Sequence, residues 1–339
     1  MTLRVLNDTH IGAIRSAGTT IKSQLELRKH ILQRFEQLLP DEGDLLINGD
    51  LFDSYSAPIV DVLSTYEILA DWLHAHPTSV LYNSAGNHDL GKTNTIMSSF
   101  QFLGKLLSRL FSERYVHIEQ PKEIPYGYVI PHLANQELFN NALSKIPACR
   151  RLFLHCNLGN KFAETADQSL NLSLAVLDSL PCSEVILGHE HKSRTVGRAL
   201  VVGNQIPTSV ADWLGTDTDK YYAEVGSSTT TLHLCSERNK EFIQLDWQNL
   251  KVTEHKFVQV TGSAESAQAF EVVSSINKFR KVSDAFVVAN AVEVRTDDGT
   301  VFSANLESVK AFSILQCLKE SLTDKEFAKI KGVHECFNH

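Results

Sequence analysis

The chain has 339 residues, a formal net charge of −8 at pH 7, 43% hydrophobic residues and 21% charged residues. That is ordinary for a soluble globular protein of one large domain, or one large and one small. The acidic balance argues against a protein that coats nucleic acid by charge alone, and no apolar run approaches the ~20 residues that span a bilayer.

In chain order, Leu3–Leu6 reads as a strand that runs straight into polar residues, not as a signal peptide, so a cytoplasmic address is expected. Leu27, Ile31, Phe35, Leu38 and Leu39 recur at helical spacing. Leu45–Ile47 is a second strand, and Ile59 to Leu73 a second helix. Ser79–Asn83 is strand-like, and Ile96 to Phe111 helical. Further strands are expected at Val116–Ile118, Tyr128–Ile130 and Arg151–Leu154. A helix over Leu170–Leu180 leads to the strand Glu184–Leu187. This alternation predicts an α/β fold with a helix-covered sheet. After Val201 come short β-like runs at Tyr221–Val225, Thr229–Leu234, Phe242–Leu245 and His255–Val260. Gly262-Ser263 breaks the pattern. A helix over Ala264–Phe279, a strand over Ala285–Arg295, a turn at Asp297-Asp298-Gly299 and a helix over Glu307–Ser321 are then expected. The boundary is expected near Gly262, giving a domain over 1–261 and a small α/β appendage over 262–339. Cys149, Cys156, Cys182, Cys235, Cys317 and Cys336 form no CxxC pair or regular framework and read as reduced thiols.

Five short motifs lie at the ends of expected strands, where open α/β sheets place their ligand sites. They are Asp8-Thr9-His10, Gly49-Asp50-Leu51-Phe52-Asp53, Gly86-Asn87-His88-Asp89, the lone His155 and Gly188-His189-Glu190-His191. Residues i and i+2 of an extended segment point the same way, so Asp8 with His10, and His189 with His191, can reach one site. Glycines before Asp50, Asn87 and His189 allow sharp turns. Mixed imidazole and carboxylate or amide oxygen donors suit Mn²⁺, Fe²⁺ or Zn²⁺. A carboxylate such as Asp50 can bridge two ions, and ions ~3.5–4 Å apart clamp a phosphate and acidify a shared water.

The ordered set DxH, GDxxD, GNHD, His and GHxH resembles the calcineurin-like metallophosphoesterase superfamily over about the first 190 residues. The resemblance implies an α/β fold built as a double β-sheet sandwich flanked by helices. It implies that Asp8, His10, Asp50 and His191 bind one divalent metal ion, and Asp50, Asn87, His155 and His189 the other. Mn²⁺ is the first choice, with Fe²⁺, Zn²⁺ or Mg²⁺ as alternatives. It also implies that His88 contacts the scissile phosphate and protonates the leaving oxygen, with Asp53 orienting His88. Finer features resemble the SbcD-type DNA double-strand-break repair nucleases: DTHIG, GDLFDSYSAP, the stretch Gly203 to Ser209 after GHxH, and an appendage where those enzymes carry a DNA-capping domain. Thr9 departs from the Trp or Ile common inside DxH, and Asn204-Gln205 from Ser-Pro. The short region after the appendage leaves little room for the helical pair that docks the SbcC-type ATPase partner.

The expected function is therefore a metal-dependent DNA nuclease. Arg15, Lys192, Arg194, Lys278, Arg280 and Lys281 are candidate contacts to the DNA backbone, beside Lys22, Lys92 and Arg198. The second reading is a phosphoesterase on a small substrate, such as a cyclic nucleotide, a nucleotide or a phosphoprotein. A silent scaffold is disfavoured because no ligand position is missing. A homodimer is expected through the helices around Ile59–Leu73 and Ile96–Phe111, since the second carries more apolar positions than one buried stripe needs.

Overall fold

A computed structural model of the protein describes residues 2–90, 96–160 and 169–295, together with the backbone of Val301–Ser303. The chain divides into two compact units. The first takes the residues up to Glu241 except Ala17–Thr20; the second takes Ala17–Thr20 and the described residues from Phe242 on.

The first unit is built on two six-stranded sheets. In one, Leu3–Leu6, Asp44–Asn48, Leu81–Ser84 and Tyr115–Ile118 run parallel in that order. Lys220–Val225 and then Thr230–Ser236 extend it antiparallel on the Leu3 side. In the other, Gly127–Ile130, Cys149–His155, Cys182–Gly188 and Ala199–Val201 are parallel. The antiparallel strands Lys122–Ile124 and Arg194–Val196 close its edges. Side chains alternate between faces along a strand. Phe153 and Ile186 therefore enter the core shared with Val5, Leu46 and Tyr82 of the first sheet. Their neighbours Leu152, Leu154, Val185 and Leu187 join a second core with Phe139, Leu143 and Leu177, which come from the helices Gln136–Leu143 and Leu174–Ser179. Strands buried on both faces read as continuous apolar runs, which is what these sequences are. Burying a side chain such as Phe139 or Phe153 is worth about 1.5–3 kcal/mol. Beside the first sheet, helix Ile21–Leu38 buries Leu27, Ile31, Phe35 and Leu38.

The fold is the expected α/β, two-sheet arrangement with helices, and two local readings change. No helix covers Leu170–Leu180 as a whole. Asn171–Leu172 pairs in parallel with Asn157–Leu158, and the helix begins at Leu174 behind the Ser173 cap. The cause is Gln136, whose side-chain amide accepts from Asn171 N at 2.9 Å and donates to Asn171 O at 3.0 Å, holding that residue extended. The helix expected from Ile96 starts at Ser99, where a reciprocal capping box between Ser98 and Gln101 satisfies its first donors.

The second unit starts at Phe242 rather than near Gly262. The strands Phe242–Asp246 and Phe257–Thr261 pair with Val287–Asn290 in one parallel sheet, so they belong with the later segments of the chain. Helix Ala269–Val282 packs Val272, Ile276 and Phe279 into a core with Trp247, Val258, Val288 and Val294. Gly262 has φ +120°, a conformation suited to glycine. Past it the chain enters a second sheet at Ser263–Glu265, and the single strand expected over Ala285–Arg295 likewise splits into Val287–Asn290 and Glu293–Arg295. Within this unit Lys278 and Lys281 are exposed. Arg280 is not: its guanidinium donates to Val288 O at 2.8 and 3.1 Å and to Asn277 Oδ1 at 3.1 Å. That correction removes it from the candidate DNA contacts.

The four described cysteines, Cys149, Cys156, Cys182 and Cys235, are free thiols. No described helix is long and apolar enough to cross a membrane. Lys92, Cys317, Cys336, the expected turn at Asp297-Asp298-Gly299 and the expected helix Glu307–Ser321 lie outside the described residues.

Candidate metal centre

The five motifs meet at the carboxyl ends of the parallel strands. The segments after Leu6 and Asn48 run side by side. Asp8 N donates to Gly49 O at 3.1 Å, His10 N to Asp50 O at 3.0 Å and Ile11 N to Leu51 O at 2.9 Å. His88 N donates to Asp50 Oδ1 at 2.8 Å, and His189 N to both Asp8 carboxylate oxygens at 3.0–3.1 Å. Backbone donors thus fix each acidic side chain from a different strand end.

Two groups of donor atoms result. Asp8, His10 and His191 form one, and Asp50, His155 and His189 the other, with atoms of each group within 4.8 Å of one another. Asn87 Oδ1 joins the second, 2.9 Å from His189 Nδ1 and 3.1 Å from His155 Nε2. Asp50 Oδ2 lies 3.3 Å from His155 Nε2 and also groups with His10 and His88, so this carboxylate stands between the two groups. All seven residues read as ligands are brought together.

The donor set fits cations. His10 Nε2 and His191 Nε2 face each other at 3.1 Å, and amide and carboxylate oxygens converge beside two imidazoles. Such a concentration of lone pairs in a buried place is stable only around positive charge. The outer nitrogens are held as metal-bound imidazoles require. His155 Nδ1 lies 2.9 Å from Asn48 O, and His191 Nδ1 lies 2.6 Å from Asp212 Oδ1. Burial lowers the His155 imidazole, but the Asp50 carboxylate outweighs it and holds the ring near 9. Asp50 itself, raised by burial, is drawn well below the usual carboxylate range by His155.

Four of the five non-glycine residues with left-handed backbone among those described belong to the candidate metal-binding groups: Asp8 (φ 51°), His10 (φ 46°), Asp50 (φ 52°) and His189 (φ 86°). Such conformations persist only where the surroundings over-determine them, and they cluster at functional sites. The glycines act differently from expectation at two of three places. Gly49 does take a positive φ, +94°. Gly86 and Gly188 do not; they provide space. A Cβ at Gly86 would lie 2.1 Å from Asp50 Oδ1, and one at Gly188 2.8 Å from Asn48 O.

The expected role of Asp53 needs correction. His88 Nδ1 lies 2.6 Å from the Asp53 backbone oxygen, not from its carboxylate. That carboxylate takes Arg15 in a two-pronged contact at 3.0 and 3.2 Å and lies 3.4 Å from His10 Nδ1. Arg15 also donates to Thr208 Oγ1 at 2.7 Å. Arg194 is similarly engaged by Glu190 and by Leu158 O, while Glu190 accepts from Leu158 N at 2.7 Å. Arg15 and Arg194 therefore brace the site from within. Lys192 is exposed.

Three residues escaped the sequence reading. Asp89, fully buried, accepts from Gly86 N at 2.9 Å, Phe52 N at 3.1 Å and Leu51 N at 3.3 Å, tying two motif loops together. Burial, with the nearby Asp50 charge, raises its carboxyl above the usual carboxylate range. Its place inside GNHD was the available signal. Asp212 is held by Thr208 N, Ser209 N and Ser209 Oγ at 2.9–3.0 Å, and aims its other oxygen at His191. The Ser209-x-x-Asp212 spacing is a capping pattern that could have revealed a fixed turn. His132, the third, lies just past the strand Gly127–Ile130. Asp212→Asn, which keeps an oxygen for the Thr208 and Ser209 donors, is expected to weaken metal binding about 10–100-fold, measured by competition with a chromogenic chelator.

Asn204-Gln205, the departure from Ser-Pro, are both buried and hydrogen-bonded. Gln205 Oε1 accepts from Asn7 N at 2.6 Å, and Asn204 Oδ1 from Lys220 Nζ at 2.7 Å. Lys220 also donates to His191 O at 3.0 Å, and burial lowers its ammonium to about 8.

One comparison with known proteins, that with family models, agrees with this geometry. The family model described as calcineurin-like phosphoesterase matches residues 1–193, more than half of the 339. No curated protein matches. Similar solved structures include a novel archaeal phosphodiesterase, at 12% identity and TM-score 0.32, covering 69% of this chain and 99% of that one. Another is purple acid phosphatase PPD1 from yellow lupin (Lupinus luteus) seeds, at 12% identity and TM-score 0.34, covering 66% of this chain and 48% of that one. With its motif order and the family match in agreement, the chain belongs to the calcineurin-like phosphoesterases, hydrolases of phosphate esters that use a dinuclear divalent metal site.

Proposed function

We propose that the protein is a two-metal phosphodiesterase acting on DNA, as an SbcD-type nuclease does. The observation that carries the two-metal phosphoesterase reading is the sharing of Asp50 between the two donor groups. Asp8, His10, Asp50 and His191 would hold one ion, and Asp50, Asn87, His155 and His189 the other. Two divalent ions held there would clamp a phosphoryl group and acidify an attacking water. The residues of the chain do the rest. His88 is exposed beside Asp50 and His10, with ring centroids of His10 and His88 5.0 Å apart. Its Nδ1 donates to the Asp53 carbonyl, which leaves Nε2 to carry a proton to the leaving sugar oxygen.

The DNA assignment is supported by the sequence pattern from Gly203 to Val225 and by the separate α/β unit beyond Phe242. Lys192, Lys278 and Lys281 remain as exposed candidate phosphate contacts. The engagement of Arg15, Arg194 and Arg280 within the chain favours the second reading, a phosphoesterase on a small substrate such as a cyclic nucleotide, a nucleotide or a phosphoprotein. Metal-dependent digestion of labelled single- and double-stranded DNA, beside a chromogenic phosphodiester, separates the two. If DNA is the substrate, Lys278→Ala with Lys281→Ala should weaken duplex binding and flatten the log–log salt dependence by about 0.9 per lost contact. Hydrolysis of the chromogenic diester should be unchanged. Retention of DNA binding in the double variant would move the assignment to the small substrate.

A homodimer through the two helices is part of the proposal. Ile59, Val60 and Leu63 on one helix and Phe102 and Leu110 on the other are exposed, as are Ile96 and Met97 before the second. Exposed apolar side chains in that number suit a protein surface rather than water. Light scattering at micromolar concentration should give twice the 37.8 kDa chain mass, and a mass near 37.8 kDa would refute the dimer.

A further inference from the structure

We propose that His132 contacts the substrate directly, donating a hydrogen bond from its imidazole to a phosphoryl oxygen held beside Asn87, His155 and His189. The proposal rests on the phosphoesterase reading and adds to it a residue that no motif supplies. Strand Gly127–Ile130 runs parallel to Cys149–His155 with Ile130 opposite Leu154. Continuing that register sets 131 beside 155 and 132 beside 156, at the sheet edge where His155 and His189 emerge. His132 N donates to Ala85 O at 2.9 Å, which pins the residue against the segment that leads into Gly86, Asn87 and His88.

The imidazole is half-buried, and it lies close enough to His155, Asp50, His189 and His88 for each of their charges to act on it. It belongs to neither donor group of the metal centre. Among the described residues the ring has no hydrogen-bond or ion-pair partner. A half-buried ring fixed at the backbone, within the field of a charged site and left without a partner has an N–H free for an oxygen outside the chain. A phosphoryl oxygen is the acceptor this site would concentrate there. Such a bond to a charged oxygen is stronger than a neutral one.

The test uses the full metal-loaded chain with His132→Ala and His132→Gln. Three quantities are read: Kd for inorganic phosphate by calorimetry, kcat/KM on a chromogenic phosphodiester, and metal content. Loss of one hydrogen bond to a charged group should weaken phosphate binding and lower kcat/KM by about 10–100-fold. Metal content and melting temperature should stay unchanged, and Gln, which keeps an N–H, should recover part of the loss. Unchanged phosphate affinity in His132→Ala would overturn the proposal. So would a loss that tracks loss of metal, which would make His132 a support of the ligands. A wild-type chain that hydrolyses no phosphate ester, yet binds phosphate in a His132-dependent way, would sink the phosphoesterase reading and leave this contact standing.

Discussion

Asp50→Asn is expected to remove most activity, by about 10³-fold or more. One carboxylate stands between both donor groups, so its loss weakens the hold on both ions at once, and a metal clamp is worth several kcal/mol of transition-state stabilisation. The asparagine is close in shape and keeps an oxygen to accept from His88 N, so the loop should stay in place. Metal analysis of the wild type purified with Mn²⁺ should find near two ions per chain, and the variant fewer. Rates compared at matched metal content decide the matter. Full activity of the variant under those conditions would mean that Asp50 bridges nothing.

His88→Ala should give the complementary result: metal retained and catalysis lowered by about 10²–10⁴-fold, the usual worth of a positioned general acid. Rates on a diester with a poor leaving group should fall further than rates on one with a good leaving group, because only the former needs the proton. If the variant loses its ions instead, His88 is a ligand. The geometry separates Asp53 from this effect. Since His88 leans on the Asp53 carbonyl oxygen, Asp53→Asn leaves that contact intact. Its consequence should come through Arg15 and His10, which face the carboxylate.

Much of this was legible in the sequence, for a physical reason. Parallel strands buried on both faces must be short apolar runs, as Leu45–Ile47 and Val185–Leu187 are, and a ligand motif at the end of such a run is conspicuous. The seven donors could be named because their ordered motifs resemble those of the calcineurin-like metallophosphoesterases, and the resemblance carries each ligand position over to a residue of this chain. What supports them was less legible. Asp212 reaches His191 across 21 positions from a short turn, and nothing in the intervening chain announces the contact. Arg15, Arg194 and Arg280 read as free charge because a sequence does not reveal which guanidinium has a carbonyl or carboxylate waiting for it. The unit boundary was misplaced for a related reason. Gly262 is a true break in backbone direction, but it separates two sheets of one unit rather than two units.

The left-handed backbone at Asp8, His10, Asp50 and His189 sets stability against activity. Each such residue costs about 1–3 kcal/mol, and glycine would relieve most of that at any of the four positions. That relief would be set against lost contacts, since Asp8 accepts from His189 N and Asp50 from His88 N, and the chain would also lose a donor of its candidate metal centre. Screens for hardier variants of this chain should score hydrolysis alongside melting temperature, because relieving backbone strain at any of the four positions removes a donor of the candidate metal centre.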